Sequence, residues 1–127
     1  MQNKFINYKN LDDLELVNLL FTEKDQLPRE AVDEFVNRGE RMIPWLWGII
    51  KEIYSWNAAG EKYWAPIHAA YIIGAISGKK AVKPLIMSLK FSDLLEVDWL
   101  WEYFPAMFGK IGLPAIEPLK AVVLDDT

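Results

Sequence analysis

His68 is the single histidine of this 127-residue chain, and there is no cysteine. A metal site would therefore take its other ligands from carboxylates, and thiolate ligands, disulfides and a Cys nucleophile are excluded. The internal register described below sets His68 opposite Tyr103 and beside Glu102, so one expectation is a small ligand pocket built from His68, Glu102 and Tyr103. The ordinary alternative is a hydrogen-bonded histidine in or near the core. Glu102 also belongs to an acidic group with Asp93, Glu96 and Asp98. Paired carboxylates perform acid–base work when their environments differ, but no nucleophile or glycine-rich phosphate loop accompanies these, and a solvated loop is the simpler reading. Ser77, in GAISG, stands one place too late for Gly-x-Ser-x-Gly, and no strand pattern precedes it. The expectation is a protein that is not an enzyme and uses no cofactor or metal.

Composition narrows the partners. A net charge of −4 and a pI near 5.0 speak against nucleic acid as the main ligand, since that binding depends on clustered Lys and Arg neutralising phosphates. No apolar run approaches the length of a membrane span, and the N-terminus lacks the basic start and apolar run of a secretory signal. A cytoplasmic protein without membrane or nucleic-acid partners is expected. One domain suffices for this length.

The elements that must position these residues are all helical. Asn10 is a plausible N-cap for a helix over 11–22 with Leu14, Val17 and Phe21 inward and Leu20 beside them. Pro28 suits the start of a helix ending at Gly39, with Ala31, Val32, Phe35 and Val36 inward. A third helix follows from Arg41 with Pro44 in its first turn and Ile43, Leu46, Trp47, Ile50 and Ile53 buried. The segment 55–62 reads as a loop. Pro66 starts a central helix with two apolar faces, Ile67, Ala70, Tyr71 and Gly74 on one and Ala69, Ile72, Ile73 and Ile76 on the other, so it must be covered on both sides. After the break at Ser77-Gly78, the next helix has Val82, Leu85, Ile86 and Leu89 on one face and leaves Lys79, Lys80, Lys83 and Lys90 polar. A further helix starts near Trp99, Pro105 either kinks it or marks its true first turn, and Gly112 ends it. Pro114 opens the last helix, with Ala115, Ile116, Leu119, Val122 and Val123 apolar. Among the tryptophans, Trp47 fits the core, Trp64 and Trp99 look like packing anchors, and Trp45, Trp56 and Trp101 fall off the main stripes, where aromatics serve recognition.

Three segments superpose: GERMIPWLWGII from Gly39, GKKAVKPLIMSL from Gly78 and GLPAIEPLKAVV from Gly112, with Pro44 and Pro84 40 residues apart and Pro84 and Pro118 34 apart. Upstream, Trp64 matches Trp99, Ile73-Gly74 matches Phe108-Gly109, and Ile76 matches Ile111. A two-helix unit cannot hide both faces of its first helix alone, so stacking stabilises each unit.

On these residues the chain resembles the HEAT-like repeat family, in particular the short bacterial form also found in phycobilin lyases. AAYIIGAISGKKAVKPLIMSL looks like that family's run of small residues, Leu-Gly, Ile-Gly, then Ala-Val and Pro-Leu, and FPAMFGKIGLPAIEPL repeats it. The resemblance implies a right-handed α-α superhelix of stacked antiparallel helix pairs, about seven helices in one domain: a capping helix in 1–27, then pairs in 28–54, 62–90 and 99–124. It implies a concave surface formed by the second helices (41–54, 79–90 and 114–124) that holds a protein or peptide, with Trp45, Lys79, Lys83, Met87, Glu117 and Lys120 as the contact residues. Iron-binding relatives carry His-Glu dipeptides where this chain has Ile67-His68-Ala69, so that activity is not implied. Likeness to the lyases implies, as an alternative, a ligand-handling role around His68. A third expectation is a homodimer through the C-terminal helix, whose apolar edge has no evident cap, so that either the native polypeptide continues or the edge meets another chain.

Overall fold

A computed structural model describes residues 7–52, 56, 64–94 and 102–125. Among them every regular element is a helix. The first, α1 (Asp13–Thr22), begins at Asp12 rather than at Asn10, which lies in a preceding 3-10 turn, Tyr8–Asn10. The sequence Asp-x-x-Glu closes a capping box: Asp12 Oδ1 accepts from the Glu15 N–H at 2.8 Å while Glu15 Oε1 accepts from the Asp12 N–H at 2.8 Å. Two of the helix's orphan donors are thereby satisfied. The inward stripe differs from the expected one. Leu16, Val17 and Leu20 are buried, whereas Leu14 is 53% exposed. Apolar residues at 14, 16, 17, 19, 20 and 21 permit several faces, and packing on the central helix selects among them.

Pro28 precedes α2 (Arg29–Arg38), which buries Ala31 and Phe35, leaves Val32 half-buried and turns Val36 outward. A 3-10 turn, Gly39–Met42, leads into α3 (Ile43–Ile50), with Pro44 in the first turn and Ile43, Leu46, Ile49 and Ile50 buried. Trp47 is only half-buried, and Ile53 lies outside the described residues. Within the stretch 55–62 the described residue is Trp56. It is fully buried, donates its indole N–H to the Ile50 carbonyl at 2.9 Å and meets the Phe91 ring edge-on, so it serves the core rather than recognition. Trp99 and Trp101 lie outside the described residues.

The central helix, α4 (Trp64–Ile76), buries residues all around its circumference, with Ala69, Ile72 and Ile73 at zero exposure. Tyr71 is the exception on the expected faces, standing 48% exposed. The 3-10 turn Lys79–Ala81 and α5 (Val82–Leu94) follow. This helix runs past Lys90, and its buried residues form one arc that takes in Ser88 and Ser92. Both hydroxyls donate back to the preceding turn, to the Pro84 and Leu89 carbonyls at 2.8 and 2.9 Å, so neither leaves an unpaired polar atom inside. Pro105 lies in the first turn of α6 (Phe104–Ile111), where its missing N–H costs little, and introduces no kink. The last helix, α7 (Leu113–Asp125), carries Pro118 inside it and buries Ala115, while Leu113 and Ile116 are exposed. The side chains of Val122 and Val123 lie outside the described residues.

The three glycines that head the superposed segments share one backbone conformation: φ is +76° at Gly39, +88° at Gly78 and +80° at Gly112. A side chain is strained there, which explains why glycine recurs. Helix contacts run along two rows, α2 against α4 against α6, and α3 against α5 against α7; the most extensive contact crosses between the rows, α3 on α4, and α4 with α5, α5 with α6 and α6 with α7 also touch across them, with α1 laid on α4.

Candidate binding clefts along α3, α5 and α7

Two clefts open between successive members of the second row. The first, of about 590 Å³, lies between α3 and α5, with Pro44, Trp47 and Pro84 as its apolar floor and Arg41, Lys80 and Lys83 on its rim. The second, of about 440 Å³, lies between α5 and α7, where Val82, Ile86, Pro114 and Pro118 meet Lys79, Lys83 and Lys90. Lys83 is common to both. Its ammonium stands 5.8 Å from the centre of the Trp47 ring, within the range of a cation–π contact.

Local sequence accounts for this arrangement. The helical spacing of Lys79, Lys83 and Lys90 keeps them on the side of α5 opposite its buried arc. Pro84 is buried, and Ile86 and Met87 are half-buried at the margin, so the rim is charged and the floor apolar. Among the described residues, Lys79, Lys83 and Lys90 make no ion pair, and the one carboxylate lining either cleft is Glu40, 3.8 Å from Lys80.

A larger cleft, of about 840 Å³, adjoins the first at Arg41 and is organised around Arg38. The Arg38 side chain is 6% exposed. Its Nε donates to Glu34 at 2.8 Å, one terminal nitrogen to Asp13 at 2.7 Å, and the other to the Leu11 and Tyr8 carbonyls at 2.7 and 3.1 Å. Arg41 adds a second contact to Asp13 at 3.1 Å, and Lys9 reaches Glu34 at 3.4 Å. Burial pushes the Asp13 carboxyl up, but the hydrogen bonds from Arg38 and Arg41 outweigh it and hold the pKa below its ordinary value. The Arg38 hydrogen bond holds Glu34 low as well, against its burial.

The residues singled out from sequence are divided among these places. Lys79 and Lys83 line the second-row clefts, and Met87 lies beside them on α5. Trp45, 40% exposed, opens instead onto the Arg38 cleft with Leu14, so the tryptophan next to Lys83 is Trp47. Glu117 and Lys120 are exposed on α7 and pair with each other at 3.5 Å. His68 is half-buried with its ring stacked on Trp64 at 5.9 Å. Tyr103 meets Tyr71 edge-on, also at 5.9 Å, at a shallow recess of about 220 Å³ shared with Met107 and Lys110; His68 and Glu102 lie outside its lining. Asp93 and Glu102 are exposed, and Glu96 and Asp98 lie outside the described residues. Among the described residues no three His, Cys, Asp or Glu side chains converge as a metal site, and no helix is long and apolar enough to cross a membrane.

Comparison of the chain with protein-family models, with curated proteins and with solved structures finds no match.

Proposed function

We propose that this chain is a non-catalytic interaction module of HEAT-like α-α superhelical form, which receives another polypeptide on the face formed by α3, α5 and α7. The observation that carries the reading is the pair of adjoining clefts that share Lys83, apolar at the floor through Trp47 and Ile86 and charged at the rim. Partly exposed aromatics beside long charged side chains are the usual anchors of protein recognition. The superhelix is supported by the two rows of helix contacts and by the recurrent positive-φ glycine ahead of each second-row helix.

The test is capture of a partner from source-cell lysate, followed by hydrogen exchange on the purified complex. Bound partner should slow exchange over residues 82–90 of α5 and leave the buried amides of α4 unchanged. A Trp47→Ala/Lys83→Ala variant should lose capture while keeping its far-UV helicity. Undiminished capture by that variant refutes the assignment of the surface, and a crystal structure with the helices closed into a single bundle refutes the superhelix.

A further inference from the structure

The second-row face is set apart from the rest of the molecule by its charge. Its clefts are lined by Lys79, Lys80, Lys83 and Lys90, and by Arg41, which is already paired with Asp13, against the single carboxylate of Glu40, in a chain whose net charge is −4. In the cleft between α5 and α7 no acidic side chain lines the wall at all among the described residues. Like charges held close together repel, and here Lys79 and Lys83 stand one helical turn apart without an intervening carboxylate. Such an arrangement is relieved by an anionic ligand. The floor narrows the choice of ligand. Ile86, Pro114 and Pro118 offer an apolar recess large enough for an aliphatic side chain, which a sugar–phosphate backbone has no group to fill. The acidic remainder of the protein also repels an extended polyanion.

We propose that the ligand of this face is an acidic peptide with an aliphatic anchor, its carboxylates on Lys79, Lys83 and Lys90 and its apolar side chain against Ile86 and Pro118. This rests on the reading of α3, α5 and α7 as a binding face and adds the chemistry of what binds there. Rim charges act through attraction that salt screens, over a Debye length of ~10 Å at 0.1 M. Affinity for such a peptide therefore falls as salt rises.

The experiment is selection of a random dodecapeptide phage library on the full chain, followed by anisotropy titration of a synthetic selected peptide. Selected sequences should place Asp or Glu on both sides of Leu, Ile or Val. Lys83→Glu should weaken the synthetic peptide by roughly tenfold, the worth of reversing one well-placed charge. Lys79→Glu, on an exposed side chain, should act in the same direction with the thermal midpoint unchanged, which guards against misfolding of the Lys83 variant. Selection of peptides without acidic residues, still weakened by Ile86→Glu, overturns the acidic ligand and leaves the binding face standing. Failure to enrich any peptide, or enrichment indifferent to the Lys83, Lys79 and Ile86 variants, overturns both. Binding of poly(U) or phosphatidylserine vesicles more tightly than the selected peptide, with loss on Lys83→Glu, reassigns the patch to nucleic acid or membrane and overturns the proposal.

Discussion

The Arg38 cleft and the Lys83 clefts adjoin at Arg41 and use the same kinds of residue to opposite ends. Around Arg38 each cation has a carboxylate or carbonyl within 3.4 Å, and the largest cavity of the three is lined by charges that already answer one another. Around Lys83 the Lys79 and Lys90 ammonium groups make no ion pair among the described residues, Lys80 meets Glu40 only at 3.8 Å, and the Lys83 ammonium lies over an indole ring. Cleft size and uncompensated charge thus run in opposite directions here. Arg38 fastens the segment before α1 to α2 through Tyr8, Leu11 and Asp13, and a ligand would have to break that fastening to use its charge.

The largest effect is expected at Arg38. Arg38→Ala leaves Asp13 and Glu34 without their main partner and takes a donor from the Leu11 and Tyr8 carbonyls, the second of which keeps the Leu11 N–H, so it should lower the unfolding free energy by roughly 3 kcal/mol, the cost of removing one member of a buried pair. Urea denaturation followed by circular dichroism measures it. A loss below about 1 kcal/mol, the range of exposed pairs, removes the distinction between the two clefts.

The same network predicts a pH dependence. Asp13 and Glu34 have folded-state pKa values below their ordinary ones, so the folded protein binds fewer protons than the unfolded chain in that window. Their contribution is present in full above the unfolded carboxylate value of ~4 and is lost as pH falls through the lower folded values. Thermal midpoints measured from neutral pH downward should fall more steeply for the wild type than for Arg38→Ala. Parallel curves would mean that Arg38 does not hold these carboxyls.

How much of this was legible depends on what each residue touches. Helix starts and stops marked by Gly39, Gly78, Gly112, Pro44 and Pro105 are local events, and the sequence carries them. Glu34 and Arg38 stand at i, i+4, a spacing visible in the sequence, but their partners Lys9 and Asp13 are 25 residues away, and nothing local announces them. Trp56 falls outside any stripe because its place comes from Ile50 and Phe91, not from a helix period. Repeat register was readable while environment was not. Gly74 and Gly109 occupy matching positions, yet a Cβ at Gly74 would come within 2.6 Å of Met107 Cγ, whereas one at Gly109 meets nothing within 4 Å. Gly74→Ala should therefore destabilise by roughly 1 kcal/mol, moderated by the flexibility of the Met107 side chain. Gly109→Ala should stabilise by about 0.5–1 kcal/mol, since alanine is the better helix former and has room. Equal shifts of the two thermal midpoints would show that the two sites are alike after all.

The smallest effect is expected at Lys83, and its smallness is the informative part. A cation over a partly exposed indole is worth about 0.5–1 kcal/mol, while the neighbouring Lys79 and Lys80 repel it by an amount of similar order. Lys83→Met, which keeps the aliphatic stem and removes the charge, should leave stability within about 0.5 kcal/mol of wild type. The coupling between Lys83→Met and Trp47→Leu in a double-mutant cycle should be just as small. A residue whose charge does so little for the fold, yet stands where two apolar-floored clefts join, has its charge available to a ligand. A loss above about 1.5 kcal/mol would instead make Lys83 a structural partner of Trp47, and the second-row face would then resemble the Arg38 cleft in having no uncommitted charge.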